Sequence, residues 1–165
     1  MFLHLFGKFF WNISIPLLVR FIDRPMNWWR AKSYCQRLGA KLVEIDSAEE
    51  NRAIIDEINA RGYHRQKKQF WLGLTDRRRE GQWIHESTRK EPTFTNWDIF
   101  QPDNGGIFKK KNEKTRQQKL FKNEHCAYIT TSTKWNDFNC KETGFLHWTL
   151  NALCEKSKKL VEWSG

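Results

Sequence analysis

Five oxygen-bearing side chains are the best candidates for chemistry in this chain. Gln101 and Asp103 flank a proline, Glu124 stands two residues before a cysteine, and Asn136 and Asp137 follow a tryptophan. Calcium takes six to eight oxygens from carboxylates, amides, backbone carbonyls and water, and these residues could supply five or six of them. Because no His or Cys is needed, the donor set favours calcium over zinc. The alternative is ordinary loop polarity, since Asp and Asn favour turns and Pro fixes them.

A second acidic pair, Asp76 and Glu80, is open to metal ligation, to hydrolysis as a carboxylate couple, or to simple solvation. The three arginines between them, 77–79, place positive charges that oppose a cation. His125 lies beside Cys126, but adjacent residues rarely face each other, so a thiol nucleophile is not indicated. Without further catalytic groups, these residues predict a binding protein and no enzyme.

The number and spacing of the cysteines limit the cellular compartment and the fold that the chain can have. There are four of them: Cys35, Cys126, Cys140 and Cys154. Their number is even and no C-x-x-C pair occurs, which argues against a zinc ribbon or a thioredoxin-like site. Two disulfides in an oxidising compartment are the simplest interpretation, and the protein is therefore expected to be secreted. Spacing alone leaves all three connectivities open. With 165 residues, 39% of them hydrophobic and 15% aromatic, the chain suffices for one domain with a real core.

The net charge of +10 is concentrated in residues 107–122, which hold six Lys, Arg116 and one Glu. We consider three interpretations of the basic insertion, residues 108–122: a solvated flexible segment, a patch for acidic or sulfated polysaccharide, or a nucleic-acid site. Nucleic acid is disfavoured because no aromatic residues interleave the charges.

The apolar N-terminus, residues 1–20, is interrupted by Lys8, Asn12 and Pro16. It therefore contains no 18-residue uncharged span, and we expect no membrane helix. It also lacks the basic start, unbroken apolar centre and small-residue cleavage site of a signal peptide. We interpret residues 1–17 as a degenerate leader or a segment outside the domain.

Two helices are predicted early in the chain. Asn27 is a cap for the first, whose apolar residues step by three and four from Trp28 to Leu38. Ser47 and Glu50 form a capping box for the second, which buries Ile54, Ile55 and Ile58 and ends at Gly62.

Strands are predicted after the helices. Phe70 to Leu74 is short and apolar, and Gln82 to His85 alternates as a half-buried strand should. Residues 86–125 show almost no periodicity, which is typical of a functional or disordered loop. Ala127 to Thr130, Lys134–Trp135 and Ala152 to Cys154 are the predicted closing strands. Two helices followed by strands indicate an α+β fold with small antiparallel sheets. The tryptophans at 28, 71, 83, 97 and 135 are expected in the core.

The chain resembles the C-type lectin domain from about residue 18 to residue 156. Four motifs carry the resemblance, in the family's order: Trp71-Leu72-Gly73-Leu74, Gln101-Pro102-Asp103, Glu124 two residues before a cysteine, and Trp135-Asn136-Asp137. The Gly-Gly after Asn104 and Glu-His-Cys at 124–126 are similar to the perlucin-type lectins of invertebrates. The chain is divided accordingly into an N-terminal segment, 1–17, the lectin domain, 18–156, and a tail, 157–165.

This resemblance implies more than the spacing does. It implies disulfides Cys35–Cys154 and Cys126–Cys140 and a cis peptide before Pro102. It implies that Gln101, Asp103, Glu124, Asn136 and Asp137 hold calcium, and that the first four of them also bind the sugar. It implies a candidate second calcium site built from Asp76, Glu80 and Asn104.

The sugar class follows from the resemblance as well. An amide-first Gln-Pro-Asp motif goes with galactose-type sugars in this family, and an acid-first motif with mannose-type sugars. Here the residues after Asp103 are Asn104 and two glycines, without the Trp that often stacks on galactose, and Phe108 is the nearest substitute. We therefore expect a galactose-type lectin with mannose as a second ligand, acting in innate recognition of microbes or in an extracellular matrix. The alternative is a calcium-independent structural or protein- and acidic-glycan-binding domain that uses the basic insertion.

Overall fold

The computed structural model describes residues 18–105, 123–145 and 147–156. Within these ranges the chain forms two helices and eight strands. The helices are α1 (Trp28–Arg37) and α2 (Ala48–Ala60). The strands are β1 (Leu18–Pro25), β2 (Lys41–Leu42), β3 (Lys68–Thr75), β4 (Ile84–His85), β5 (Cys126–Ile129), β6 (Trp135–Phe138), β7 (Gly144–Phe145) and β8 (Trp148–Lys156). The predicted α+β class is confirmed.

Both helices begin at the predicted caps. The Asn27 side chain accepts a hydrogen bond from the Arg30 amide at 3.0 Å, and the Ser47 hydroxyl accepts one from the Glu50 amide at 3.1 Å. The Glu50 carboxylate accepts from the Asp46 amide at 3.0 Å, one residue earlier than an ideal capping box has it. Local capping chemistry thus sets both helix starts.

The sheet runs in the order β1-β8-β3-β5-β6. Strand β1 pairs antiparallel with β8, from Leu18 opposite Lys156 to Pro25 opposite Asn151, while β3 runs parallel to β8. The prediction that the helices precede all strands was wrong, since β1 precedes α1. The side chains of β1 do not alternate between buried and exposed, so the strand has no two-residue pattern to read from the sequence.

The predicted alternation at Gln82 to His85 was also wrong, because Trp83, Ile84, His85 and Glu86 are all buried. The polar members of this run face protein partners. The His85 ring is hydrogen-bonded to Asp46 at 2.8 Å, and the Glu86 carboxylate is paired with Lys32 at 2.5 Å. Buried polar groups with partners break the polar-out rule on which the prediction rested.

Two hydrophobic clusters form the core. One contains Ile54 and Ile58 of α2, and the other contains Trp28 and Ala31 of α1. Ile55 is only partly buried at the edge of the first cluster. Of the five tryptophans expected in the core, four are buried and Trp97 is partly buried against them. Packing of both helices against this sheet fixes the frame on which the loops are mounted.

Disulfides close the frame at two places. Cys35 on α1 is bonded to Cys154 on β8, and Cys126 on β5 is bonded to Cys140 just after β6. Both predicted pairings are confirmed. From the loop lengths, the first bond contributes about 5 kcal/mol to stability and the second about 3 kcal/mol. The second bond ties β5, which begins two residues after Glu124, to the end of β6, which carries Asp137.

Candidate metal centre

The loop that carries Gln101 is fastened to β6. The Trp135 amide donates to the Asn96 carbonyl at 2.9 Å, and the Asp98 amide donates to the Trp135 carbonyl at 2.8 Å. The Gln101 amide then donates to the Asp98 carbonyl at 3.0 Å. These bonds tie the segment that leads to Gln101 to Trp135, the first residue of β6. The peptide bond between Gln101 and Pro102 is cis, as predicted.

Asp137 joins this loop to β6 through its carboxylate. Its two oxygens accept hydrogen bonds from the amides of Asp103, at 3.1 Å, and Asn104, at 2.8 Å. The Asn104 side chain in turn accepts from the Glu124 amide at 2.9 Å. The Gly105 amide donates to the Asp103 carboxylate at 3.0 Å. The network brings the segments at 101–105 and at 124 onto the same end of the β5–β6 pair.

Three carboxylates meet there. Asp103, Glu124 and Asp137 each present an oxygen, and these oxygens all lie within 4.8 Å of one another. Glu124 and Asp137 are buried, and Asp103 is half-buried. At an effective dielectric of about 20, each pair of charges at that distance repels by about 3 kcal/mol. Such a cluster is stable only if a bound cation compensates its negative charge or if some of the carboxyls are protonated.

Burial is the main cause of raised pKa values at two of these carboxyls, Glu124 and Asp137. Burial, followed by the negative charges of Asp137 and Asp103, raises the pKa of Glu124 to about 8. The hydrogen bond from the Gly105 amide lowers this pKa by a smaller amount. Burial also raises the pKa of Asp137 to about 6, opposed by the backbone hydrogen bonds it accepts. Both groups therefore hold protons more tightly than an exposed acid does.

Two amide oxygens complete the set. Gln101 Oε1 and Asn136 Oδ1 are buried and have no hydrogen-bond partner among the described residues. Buried acceptors normally find a donor, and leaving one without costs about 1–3 kcal/mol. Two orphaned amide oxygens, from residues within two positions of Asp103 and Asp137, and the three clustered carboxylates make up the kind of oxygen-rich donor set that calcium takes. The residues present therefore fit a calcium ion.

The residues of the second predicted site are placed differently. Asp76, Glu80 and His125 lie together, with the His125 ring 2.9 Å from Asp76 and 3.5 Å from Glu80. The other Asp76 oxygen accepts from the Gly81 amide at 2.8 Å. Asn104, which was assigned to this site, is hydrogen-bonded within the first cluster instead. A second calcium at this position stays a prediction.

Sequence reasoning missed two features of the site. One is the part Asn104 plays as the bridge between Glu124 and Asp137. The other is the exposure of Ile99 and Phe100, at 74% and 78%, directly before Gln101. Two adjacent large apolar residues in a polar loop were the available signal. Phe108 and the basic insertion, 108–122, lie outside the described residues.

The model of the lectin C-type domain matches residues 24–156. The chain belongs to the C-type lectin domain family. A chicken (Gallus gallus) hepatic lectin is 30% identical over 116 residues, which are 70% of this chain and 45% of the relative. A perlucin-like protein of Mytilus galloprovincialis is 29% identical over 116 residues, 69% of this chain and 63% of that protein.

This C-type lectin domain thus spans less than two thirds of the length of those relatives. Among solved structures, the carbohydrate-recognition domain of the mouse scavenger receptor C-type lectin superposes with a TM-score of 0.69 at 26% identity. The match covers 89% of this chain and 95% of that one. Neither helix of the described segments has the length and apolar character needed to cross a bilayer.

Proposed function

We propose that this domain binds carbohydrate through a calcium ion held by Gln101, Asp103, Glu124, Asn136 and Asp137. The observation that carries the proposal is the combination of three carboxylates within 4.8 Å and two buried amide oxygens without a partner. The carbohydrate-recognition domain with which the chain superposes supports the same class of ligand.

The chemistry of recognition follows from the alternation of acids and amides. When bound, the ion supplies a direct contact to two neighbouring sugar hydroxyls. The carboxylates of Asp103 and Glu124 accept hydrogen bonds from these hydroxyls, because an ionised carboxylate can act only as a hydrogen-bond acceptor. The amide groups of Gln101 and Asn136 donate N–H to the remaining lone pairs of the same hydroxyls. Each hydroxyl is thereby satisfied on every side, which makes the site selective for a pair of hydroxyls over one.

The proposed sugar class is galactose-type, with mannose-type sugars as a second class. The amide-first order of Gln101 and Asp103 supports it. Ile99 and Phe100 support it too, since they expose apolar surface directly before Gln101. The apolar face of a pyranose ring can pack against this surface. We place the function in recognition of glycans outside the cell, in innate defence or in a matrix, because both disulfides persist only in an oxidising compartment.

Binding to immobilised galactose and mannose in about 5 mM calcium tests the proposal, because weak extracellular calcium sites need millimolar calcium. The wild-type domain is expected to be retained on galactose and released by chelator. Glu124→Gln should abolish retention, whereas Glu49→Gln, an exposed glutamate of α2, should not. Retention that survives both chelator and Glu124→Gln would contradict the proposal.

A double substitution separates metal binding from sugar choice. Gln101→Glu with Asp103→Asn exchanges acid and amide and keeps the number of carboxylates unchanged. We expect retained calcium binding and a shift of preference from galactose to mannose. A variant that keeps galactose preference would show that the order of acid and amide does not set the sugar class.

A further inference from the structure

A groove of about 510 Å³ runs along the outer face of α1, and none of its lining residues belongs to the candidate metal centre. Arg24, Arg30 and Arg37 line it together with the rings of Trp29 and Tyr34. Arg30 and Arg37 are seven residues apart, so they lie on one face of the helix, about 10 Å apart along its axis. The groove therefore presents a row of guanidinium groups with a fixed spacing.

A second hollow of about 210 Å³ continues this surface, because Trp29 lines both. Its cations include Arg77, Arg78 and Arg89. Glu86 is the one carboxylate among the residues lining the two hollows, and it is already paired with Lys32 at 2.5 Å and Arg89 at 2.8 Å. We call the combined surface the arginine groove.

Five arginines of the arginine groove form no close ion pair among the described residues, although the Glu86 carboxylate acts on Arg77 at longer range. Among the described residues, no carboxylate lies within 4.0 Å of a guanidinium nitrogen of Arg24, Arg30, Arg37, Arg77 or Arg78. All five side chains are exposed. Concentrated like charge without compensation is a standing electrostatic cost that an anionic ligand removes.

The chemistry of the groove selects a polyanion with tetrahedral oxyanion groups. Guanidinium presents a planar fork of donors that fits sulfate and phosphate oxygens in pairs, which a lysine ammonium does not do. Six of the seven cations lining the groove are arginines. The basic insertion, by contrast, is almost entirely lysine.

The aromatic rings of the groove argue against single-stranded nucleic acid. Such ligands stack their bases on open ring faces. Here the Arg77 guanidinium covers Trp29 at 3.8 Å from the ring centroid, and Arg37 lies over Tyr34 at 5.4 Å. A membrane surface is also disfavoured, because Trp29 is the one exposed large hydrophobic residue of the groove and no apolar face accompanies it.

From these observations we infer that the arginine groove binds sulfated polysaccharide, without calcium and at a place separate from the candidate metal centre. The inference does not depend on the proposed sugar site or on the basic insertion. An oxidising compartment, which the two disulfides indicate, is where a sulfated polysaccharide would be met.

Heparin affinity measured in the presence of a chelator tests the inference, because the chelator removes the calcium on which the proposed sugar site depends. The probe is a defined heparin oligosaccharide, measured by titration calorimetry at low and at physiological salt. Arg30→Ala with Arg37→Ala should weaken heparin binding about tenfold. This is the loss expected when two exposed ion pairs are removed and each has a free energy near the upper end of the range usual for such pairs. Arg52→Ala with Arg65→Ala, two exposed arginines outside the groove, removes the same charge and should leave binding within about twofold.

Three further measurements sharpen the test. Arg30→Lys with Arg37→Lys keeps the positive charge but removes the paired guanidinium donors. The expected heparin affinity therefore lies between that of the wild-type domain and that of the double alanine variant. Equal losses in the groove and control variants would overturn the inference, as would loss of binding on deleting the basic insertion, residues 108–122, with the groove intact. Tighter groove-dependent binding of a single-stranded oligonucleotide, or of phosphatidylserine vesicles, than of heparin would overturn the choice of ligand.

Discussion

The affinity of the candidate metal centre for calcium should depend steeply on pH between 6 and 8. Glu124, with a pKa raised to about 8, and Asp137, with a pKa raised to about 6, must both lose their protons before they can ligate an ion. At pH 8 about half of the molecules hold Glu124 ionised. At pH 6 only about one in a hundred does, and Asp137 is then half protonated. We therefore expect the apparent affinity to fall about hundredfold from pH 8 to pH 6.

Calorimetry measures this directly. Titration of calcium into the domain near pH 7, in buffers of different ionisation enthalpy, should report about one proton released per ion bound. In chelator the raised pKa values act in the opposite sense. The folded state holds these protons more tightly than the unfolded chain, so their contribution to stability is complete below about pH 4 and is lost as the pH rises through about 6 and 8. The gain in Tm on adding calcium should accordingly grow with pH.

The control variant is Glu124→Gln, which removes the group with the higher pKa. Its calcium affinity should be weaker and nearly independent of pH above 7. A wild-type affinity that is flat from pH 6 to pH 8, with no proton released, would refute the reasoning. It would mean that the three clustered carboxyls are not the ligands.

Two further predictions concern the frame that holds the loops. Gly73→Ala should lower the free energy of unfolding by about 1–3 kcal/mol, because the new Cβ would lie 2.8 Å from the Leu42 carbonyl oxygen and 2.8 Å from the Glu44 Cγ. Urea denaturation measures this free energy. Unchanged stability would mean that Gly73 of β3 does not approach Leu42 and Glu44 this closely. Lys41→Met should cost about 3–5 kcal/mol at pH 8, because it leaves Glu44 and Glu155, which Lys41 contacts at 2.5 and 2.9 Å, as buried unpaired charges. At pH 5 the cost should be about half as large, since burial raises the pKa of Glu155 to about 7 and the protonated carboxyl needs no partner; a loss independent of pH would contradict this.

Local chemistry was readable from the sequence. Capping by Asn27 and Ser47 involves residues three positions apart, so short-range pattern is sufficient to find it. The residues of the candidate metal centre were readable for a different reason. Only a few residue types serve calcium, and the resemblance to C-type lectins supplied the order in which Gln101, Glu124 and Asp137 occur.

Features assembled from distant segments were not readable. Strand β1 pairs with the far end of the domain, and nothing in its own residues names that partner. The arginine groove joins arginine side chains from the end of β1, from α1, from the turn after β3 and from the segment after β4. Each of these arginines alone looks like an ordinary solvated charge, and only the fold places them side by side.

A glycan array in about 5 mM calcium, repeated in chelator, tests the central claim most directly. The account predicts binding to galactose-type glycans that is lost in chelator and lost in Glu124→Gln. Binding to those glycans that persists in chelator would contradict it, because the carboxylates of Asp103, Glu124 and Asp137 would then have no ion to hold. No binding to any neutral glycan in calcium would contradict it as well.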